Sequence, residues 1–203
     1  MGYDADGYQI YQNGSRYSTF RDGKPVSEMS PRPPTSTAQV GIRGERRVTN
    51  ELAGDGWSPI GNTQTSSSDI NASLPGYQGQ QGIDGIYTRQ RDDGSTEYII
   101  VETKATQGDS AGDLNTMSDN TTQQMSKTWI NDRVADSGLS GPEAADLERA
   151  LLNGEVTFVK ADVTGVRTDA PEGPDNGSVT FTELKHSGDD KVTTNGTWDP
   201  KGD

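Results

Sequence analysis

The sequence predicts an α/β domain with a mixed central β-sheet flanked by helices. Two short apolar runs, at residues 83–90 and 96–105, are separated by the turn sequence Asp92-Asp93-Gly94, a pattern typical of a β-hairpin. Segments with helical periodicity stand on both sides of this hairpin, and two more strand-like runs follow at residues 155–163 and 179–184. Helices interspersed with strands favour layers of helix packed against a sheet.

The first helix is expected over residues 37–54, because hydroxyl residues that can cap it precede it and a glycine ends it. Its apolar stripe consists of Ile42, Val48 and Leu52. Glu45 is three residues from both Ile42 and Val48, so it lies on that stripe. An acid that points inward needs a cation, which makes Glu45 a candidate site residue. The alternative is a surface glutamate paired with Arg46 or Thr49.

Polar loops and two more helices complete the pattern. A short strand at residues 57–60 precedes a long polar loop at 61–79, and a second loop at 106–120 leaves directly from the strand at 96–105. That second loop would border any site on the strand. A helix is expected over residues 121–137, with an apolar face made of Met125, Trp129, Ile130 and Val134. A short helix over 141–152 has Pro142 in its first turn.

Composition divides the 203-residue chain into three parts. Residues 1–37 are interpreted as an N-terminal extension with short hairpins that ends in a Pro-rich linker, Pro31-Arg32-Pro33-Pro34. Residues 38–186 are expected to form the folded domain. Residues 187–203 are expected to be a polar tail that either adds one strand or stays loose. Only 28% of the residues are hydrophobic, which favours one compact domain with polar ends.

The near absence of two residue types excludes several kinds of site. Cysteine does not occur, and His186 is the one histidine in the sequence. Disulfides, thiolate nucleophiles, multi-histidine zinc sites and nucleases of the HNH type are therefore excluded. A Ser-His-Asp triad could use only His186, which lies in a polar stretch and is expected to be a solvated surface residue. We also expect neither a signal peptide nor a membrane segment.

The formal charge of −13 is the main argument against a nucleic-acid-binding function, because acidic proteins usually repel nucleic acid. Aspartate outnumbers glutamate and arginine outnumbers lysine, a composition that resembles halophilic proteins. At molar salt the Debye length is about 3 Å, so the long-range repulsion between an acidic protein and nucleic acid is screened. The alternative is that the acidic residues form a surface that mimics DNA or binds a partner.

Three ionisable residues on the predicted hairpin form the strongest candidate site. Asp84 lies in the first run, and Glu102 and Lys104 lie two residues apart in the second, so the side chains of Glu102 and Lys104 leave the same face. Charges at the end of an Ile-Ile-Val run are costly unless they find partners. A divalent metal held by Asp84 and Glu102, with Lys104 beside the metal-bound water, would explain them. The alternative is a turn aspartate and an exposed ion pair, worth a few tenths of a kcal/mol.

These residues resemble the PD-(D/E)xK nuclease superfamily. The acid is Asp84, within Gly82-Ile83-Asp84-Gly85-Ile86, and the triplet is Glu102-Thr103-Lys104; Ile83 stands where the family pattern has proline. The match covers the central third of the chain and extends more weakly over residues 38–165. It implies a restriction-endonuclease-like core. The segment from Gln124 to Ile130, together with Arg133, is similar to a helix of bacterial toxin nucleases in this superfamily, in which a glutamine often lines the site. The alternative for Gln124 is a plain solvated residue.

The resemblance implies a metal-dependent endonuclease that hydrolyses phosphodiester bonds. Mg²⁺ is the expected cofactor, with Mn²⁺ as an alternative and Zn²⁺ disfavoured. The implied metal ligands are Asp84, Glu102, the Thr103 carbonyl and Glu45, and the implied catalytic residues are the same three acids with Lys104 and Gln124.

The favoured function is the toxin domain of a secreted antagonistic effector. It would be delivered into a target cell, cut DNA or alternatively RNA in the cytoplasm, and be neutralised by an immunity protein. One alternative is a repair or junction-cleaving nuclease of the same fold that works in its own cell. Another, of a different class, is a non-catalytic acidic binding or inhibitor module.

Overall fold

The computed structural model describes the backbone of residues 2–3, 9–13, 16–21 and 24–25, and then residues 36–63, 82–168 and 176–202. In the N-terminal extension, β1 (Gly2–Tyr3), β2 (Gln9–Asn13), β3 (Arg16–Arg21) and β4 (Lys24–Pro25) form an antiparallel sheet in chain order. The predicted Pro-rich linker and most of the predicted loop at residues 61–79 lie outside the described residues.

A six-stranded mixed sheet forms the centre of the domain, with the strand order β10-β9-β8-β7-β6-β5. Strands β7 and β8 are parallel, and the other neighbouring pairs are antiparallel. The strands are β5 (Ser58–Ile60), β6 (Gly85–Gln90), β7 (Thr96–Ala105), β8 (Val156–Thr164), β9 (Ser178–His186) and β10 (Val192–Thr197). The predicted α/β class with a mixed sheet is confirmed.

Helices cover both faces of this sheet. Helix α1 (Ser36–Gly54) packs on one face, where Val48 and Leu52 join Ile99 and Val101 of β7 in a buried cluster. Helices α2 (Lys127–Val134) and α3 (Gly141–Asn153) pack on the other face, in a cluster with Ile100 of β7. Successive residues of β7 therefore point into two different cores, as the strand geometry requires. Among the described residues, no helix has the length and apolar character needed to span a membrane.

The second helix is shorter than predicted. It begins at Lys127 rather than near residue 121, with Ser126 as its N-cap accepting from the Trp129 amide at 3.3 Å. Met125 has a φ of 67°, a left-handed conformation that interrupts any helix before this point. Gln124 therefore lies on the loop that precedes α2 and not on a helix.

The predicted C-terminal tail is part of the domain. Strand β10 pairs with β9, and Trp198 packs edge-on against Phe181 with ring centroids 5.5 Å apart. The Pro200 carbonyl accepts hydrogen bonds from the Trp57 indole at 2.9 Å and from Arg89 at 2.8 Å. These contacts join residues far apart in sequence. The local composition, which is polar, therefore could not show that residues 187–203 pack on the domain.

Candidate active site

Asp84 lies directly before β6 and bonds to the neighbouring strand. Its Oδ2 accepts a hydrogen bond of 2.7 Å from the backbone amide of Thr103. The amide and carbonyl of one strand residue point to the same side, so the Thr103 carbonyl also leaves β7 on the side of Asp84. The structure thus brings two of the sequence-predicted metal ligands together where the pairing of β6 and β7 ends.

Glu102, Lys104 and Gln124 form a hydrogen-bonded triangle on the face of the sheet that α2 and α3 cover. The Lys104 ammonium donates to Glu102 Oε1 at 2.9 Å and to Gln124 Oε1 at 2.7 Å, and Gln124 Nε2 donates to the same Glu102 oxygen at 2.9 Å. Glu102 is 3% exposed, so the interpretation of this pair as an exposed surface ion pair is wrong. Gln124, likewise, is not a plain solvated residue.

Glu45 reaches the site from the opposite face of the sheet. It is 8% exposed, and its charge acts on both Asp84 and Tyr87. The close approach of α1 depends on Gly44, since a Cβ at that position would overlap the Cβ of Ala105 on β7. The charges of two carboxylates, Glu102 and Glu45, therefore act on Asp84 from the two faces of the sheet.

Burial raises the pKa values of the two central acids, and repulsion by other carboxylates adds to the shift of Asp84. The pKa of Asp84 lies well above its ordinary value, first because of burial and then because of the charges of Glu102 and Glu45. Burial also raises the pKa of Glu102, although Lys104, Gln124 and Arg133 oppose the shift. Acids that are desolvated and crowded in this way are typical of functional sites.

One oxygen of this cluster lacks a partner. Within the described residues, Glu102 Oε2 is fully buried and has no hydrogen bond, an arrangement that costs free energy unless a ligand supplies a positive charge. The described residues contain no group of three or more acidic, His or Cys side chains already arranged around one point. Mg²⁺, however, takes one or two carboxylates and fills its remaining positions with water or carbonyls. Asp84, Glu102 and the Thr103 carbonyl therefore fit a divalent cation.

The C-terminal hairpin holds Gln124 in place. The amide of Gln123 donates to the Asp190 carbonyl at 3.0 Å, and the Gln123 side chain accepts from the Val192 amide at 3.2 Å. His186 Nε2 lies 2.9 Å from the Met125 carbonyl, so this histidine is half-buried rather than solvated as expected. Met125, which lies between these anchors, has the left-handed backbone conformation that a residue with a side chain rarely adopts. The surrounding contacts therefore impose this conformation, and it directs the Gln124 side chain at Glu102.

Sequence reasoning gave no supporting role at the site to several residues that the structure brings there. Arg133 lies over the Trp129 ring at 4.7 Å, and its charge lowers the pKa of Glu102. The hydroxyls of Thr49 and Tyr87 are hydrogen-bonded at 2.9 Å beneath Glu45. The Asn115 amide donates to Gln124 Oε1 at 2.9 Å, which ties the loop after β7 to the site. The sequence offered one indication of a role for Asn115, which is that its loop leaves directly from the strand that carries Glu102 and Lys104.

Replacing Asp84 with asparagine should raise the free energy of unfolding of the metal-free protein at neutral pH. Folding raises the pKa of the Asp84 carboxyl above the value of about 4 that it has in the unfolded chain. Its contribution to stability is therefore fully present below pH 4 and is lost as the pH rises through the pKa of the folded state. Asparagine carries no charge and keeps an oxygen for the Thr103 amide. Urea unfolding between pH 4 and 8 in the presence of EDTA should therefore show a weaker loss of stability with pH in Asp84→Asn. Identical pH profiles for the two proteins would contradict this expectation.

A scan against protein-family models gave no match to this chain, and neither did searches of curated proteins and of solved structures. Its function has to be inferred from the chemistry of the site.

Proposed function

We propose that the chain is a metal-dependent endonuclease with a restriction-endonuclease-like core, which hydrolyses phosphodiester bonds at Asp84, Glu102 and Lys104. The observation that carries the proposal is the buried Glu102 carboxylate. One of its oxygens is bonded to a lysine and a glutamine, and the other has no partner among the described residues and belongs to a cluster with Asp84. Two acids and a lysine brought together by paired strands can supply the metal ligands and the positive charge that phosphodiester hydrolysis by water uses.

Asp84, Glu102 and the Thr103 carbonyl would hold Mg²⁺ or Mn²⁺, with Glu45 as an outer ligand through water. A cation in this position, when bound, makes water a stronger acid and neutralises charge that develops on the phosphate. The absence of cysteine and the single histidine disfavour Zn²⁺.

Lys104 is held ready to act on the attacking water. Two of its three N–H groups are directed at Glu102 and Gln124, which leaves one to orient the water or meet the phosphate. The attacking water gives up a proton to solvent as its oxygen bonds to phosphorus, the ester bond opposite breaks, and the departing oxygen takes up a proton from solvent. Because the lysine is fixed before substrate arrives, its charge stabilises the transition state without reorganisation.

The biological setting that we propose is a toxin domain, because a Pro-rich segment precedes the site residues and the segment from Gln124 to Ile130 is similar to toxin nucleases. The domain would enter a target cell from a secreted effector and act on DNA, with RNA as the alternative substrate, in the cytoplasm. A cognate immunity protein with a partly basic surface would complement the formal charge of −13. Co-expression with a small protein encoded directly downstream should abolish toxicity if this setting is correct.

Two other functions give different results. A repair or junction-cleaving nuclease would show the same chemistry but would not be toxic to the cell that makes it. A non-catalytic acidic module would not need Lys104 placed between Glu102 and Gln124, and substitution of Lys104 would leave its binding unchanged. The buried triangle favours a catalytic protein.

Addition of Mg²⁺ or Mn²⁺ should raise the melting temperature of the wild-type protein. A cation that binds only the folded state stabilises it by about 2.7 kcal/mol at a hundred times the dissociation constant. The variant Glu102→Gln loses a charged ligand and should show little of this shift. Differential scanning fluorimetry with Ca²⁺ and K⁺ as comparison ions would measure the effect. An equal shift in both proteins would place the metal elsewhere.

The proposed activity is tested on a panel of supercoiled plasmid, single-stranded DNA and total RNA. We expect cleavage of at least one substrate in Mg²⁺ and none in EDTA. Absence of cleavage on every substrate, with a folded protein and bound metal, would rule the proposal out.

A further inference from the structure

A second lysine lies beside the proposed site on the same face of the sheet. In the parallel pairing of β7 and β8, Lys160 is directly opposite Glu102, and Asp162 is directly opposite Lys104. Residues paired in this way point to the same face. The Lys160 ammonium contacts the Asp162 carboxylate at 2.9 Å. The four charged side chains thus form two rows across the strands, one of Glu102 and Lys160 and the next of Lys104 and Asp162.

These rows occupy the end of the sheet at which ligands commonly bind. The apolar part of the same face, where Ile100 is paired with Phe158, packs under α2 and α3. The charged residues follow towards the C-terminal ends of β7 and β8, which are the one parallel pair in the described sheet. In α/β proteins, ligands bind beyond the carboxyl ends of parallel strands.

The two lysines are equally accessible. The Lys104 side chain is 14% exposed and the Lys160 side chain is 13% exposed, so a substrate that reaches the first can reach the second. Asp162 fixes the position of Lys160 in the same way that Glu102 fixes that of Lys104. An ion pair kept for surface solubility would not need this partial burial, because burial removes the hydration of both charges.

We propose that Lys160 binds a backbone phosphate of the nucleic acid next to the phosphate that is cleaved at Glu102 and Lys104. This inference rests on the proposed nuclease function. Lys160 lies diagonally from Lys104, about 7–8 Å away between backbone positions, which separates the two phosphate contacts along one strand of the substrate. A chain with an overall charge of −13 needs such local cations to hold a polyanion at all.

The test is the salt dependence of binding. A fluorescent DNA duplex and a structured RNA are titrated with wild-type protein in Ca²⁺ at KCl concentrations from 0.05 to 0.2 M, and the cleavage rate is followed separately in Mg²⁺. The logarithm of the binding constant falls linearly with the logarithm of the salt concentration. Each lost phosphate contact should make this slope shallower by about 0.9 for duplex DNA and by about 0.7 for single strands. We expect Lys160→Gln to bind several-fold more weakly at low salt with this reduced slope, and Lys160→Arg to keep the wild-type slope.

A matched control separates a local contact from a change in overall charge. Lys185 on β9 is exposed at a position that faces the α1 side of the sheet, so Lys185→Gln removes the same charge away from the site. It should leave the slope unchanged. Because Lys160→Gln leaves Asp162 without its cation and could lower stability, the double variant Lys160→Gln/Asp162→Asn is included. It keeps the wild-type net charge and should still lose the contact.

The outcomes separate this inference from the function on which it rests. If the wild-type protein neither binds nor cuts nucleic acid, the proposed function fails. If the wild type binds and cuts, but the folded double variant keeps the wild-type slope and affinity, Lys160 is a structural residue and the inference is wrong. A loss of cleavage rate with unchanged binding would also overturn it, because a phosphate anchor must act on binding.

Discussion

Replacing Lys104 with methionine should lower the rate of phosphodiester cleavage by about 10²–10³-fold while the protein stays folded. Methionine has similar length and is adaptable, so it can occupy the space between Glu102 and Gln124 without an ammonium. The variants Asp84→Ala and Glu102→Ala should also abolish cleavage, because each removes a carboxylate of the proposed metal site. Single-turnover rates with saturating Mg²⁺ would measure all three effects.

Circular dichroism and urea unfolding of the same preparations show whether the variants keep the fold. Lys127, an exposed residue at the start of α2, provides the matched control, and Lys127→Met should cut at the wild-type rate. Full activity in Lys104→Met or in either alanine variant would remove that residue from the site.

A single methyl group at Gly44 should destabilise the domain by about 1–3 kcal/mol and reduce cleavage as well. The Cβ of alanine at this position would overlap Ala105 and would lie 3.5 Å from the Thr103 side chain, so α1 has to move away from β7. That movement withdraws Glu45 from Asp84 and disturbs the residue whose amide holds Asp84. Urea denaturation and single-turnover cleavage of Gly44→Ala would measure both effects.

The chain offers a control on the same helix. Gly54 ends α1 with open space around it, so Gly54→Ala should lower neither stability nor activity. The double variant Gly44→Ala/Ala105→Gly removes the overlapping methyl and should recover stability, with a coupling energy of at least about 0.5 kcal/mol. Additive effects of the two substitutions would show that the helix-strand contact is not the cause.

The sequence predicted those parts of the site that follow from local patterns. Asp84, Glu102 and Lys104 could be placed because a hairpin fixes which residues of two adjacent strands face each other. Glu45 could be placed on the buried side of α1 because an acid on an apolar stripe breaks the helical pattern. The α/β class with a mixed sheet followed from the order of these elements.

Features that depend on contacts distant in sequence could not be predicted. Gln124 was expected on a helix, but the anchors that set the loop come from the β9–β10 hairpin more than sixty residues later. The role of the C-terminal segment could not be predicted either, because Trp198 and Pro200 contact residues of other strands only once the domain is folded. No role could be predicted for Lys160, which lies in the strand-like run at residues 155–163, because nothing local shows that β8 lies parallel beside β7.

The most direct test of the central claim is metal-restored cleavage by wild-type protein and Glu102→Gln, assayed side by side on plasmid DNA and total RNA. Each protein is first treated with EDTA, and Mg²⁺ is then added in excess. We predict no cleavage by either protein in EDTA, full recovery by the wild type on addition of Mg²⁺, and no recovery by Glu102→Gln. Cleavage that persists in EDTA, or that returns equally in both proteins, would contradict a metal-dependent nuclease site at Glu102.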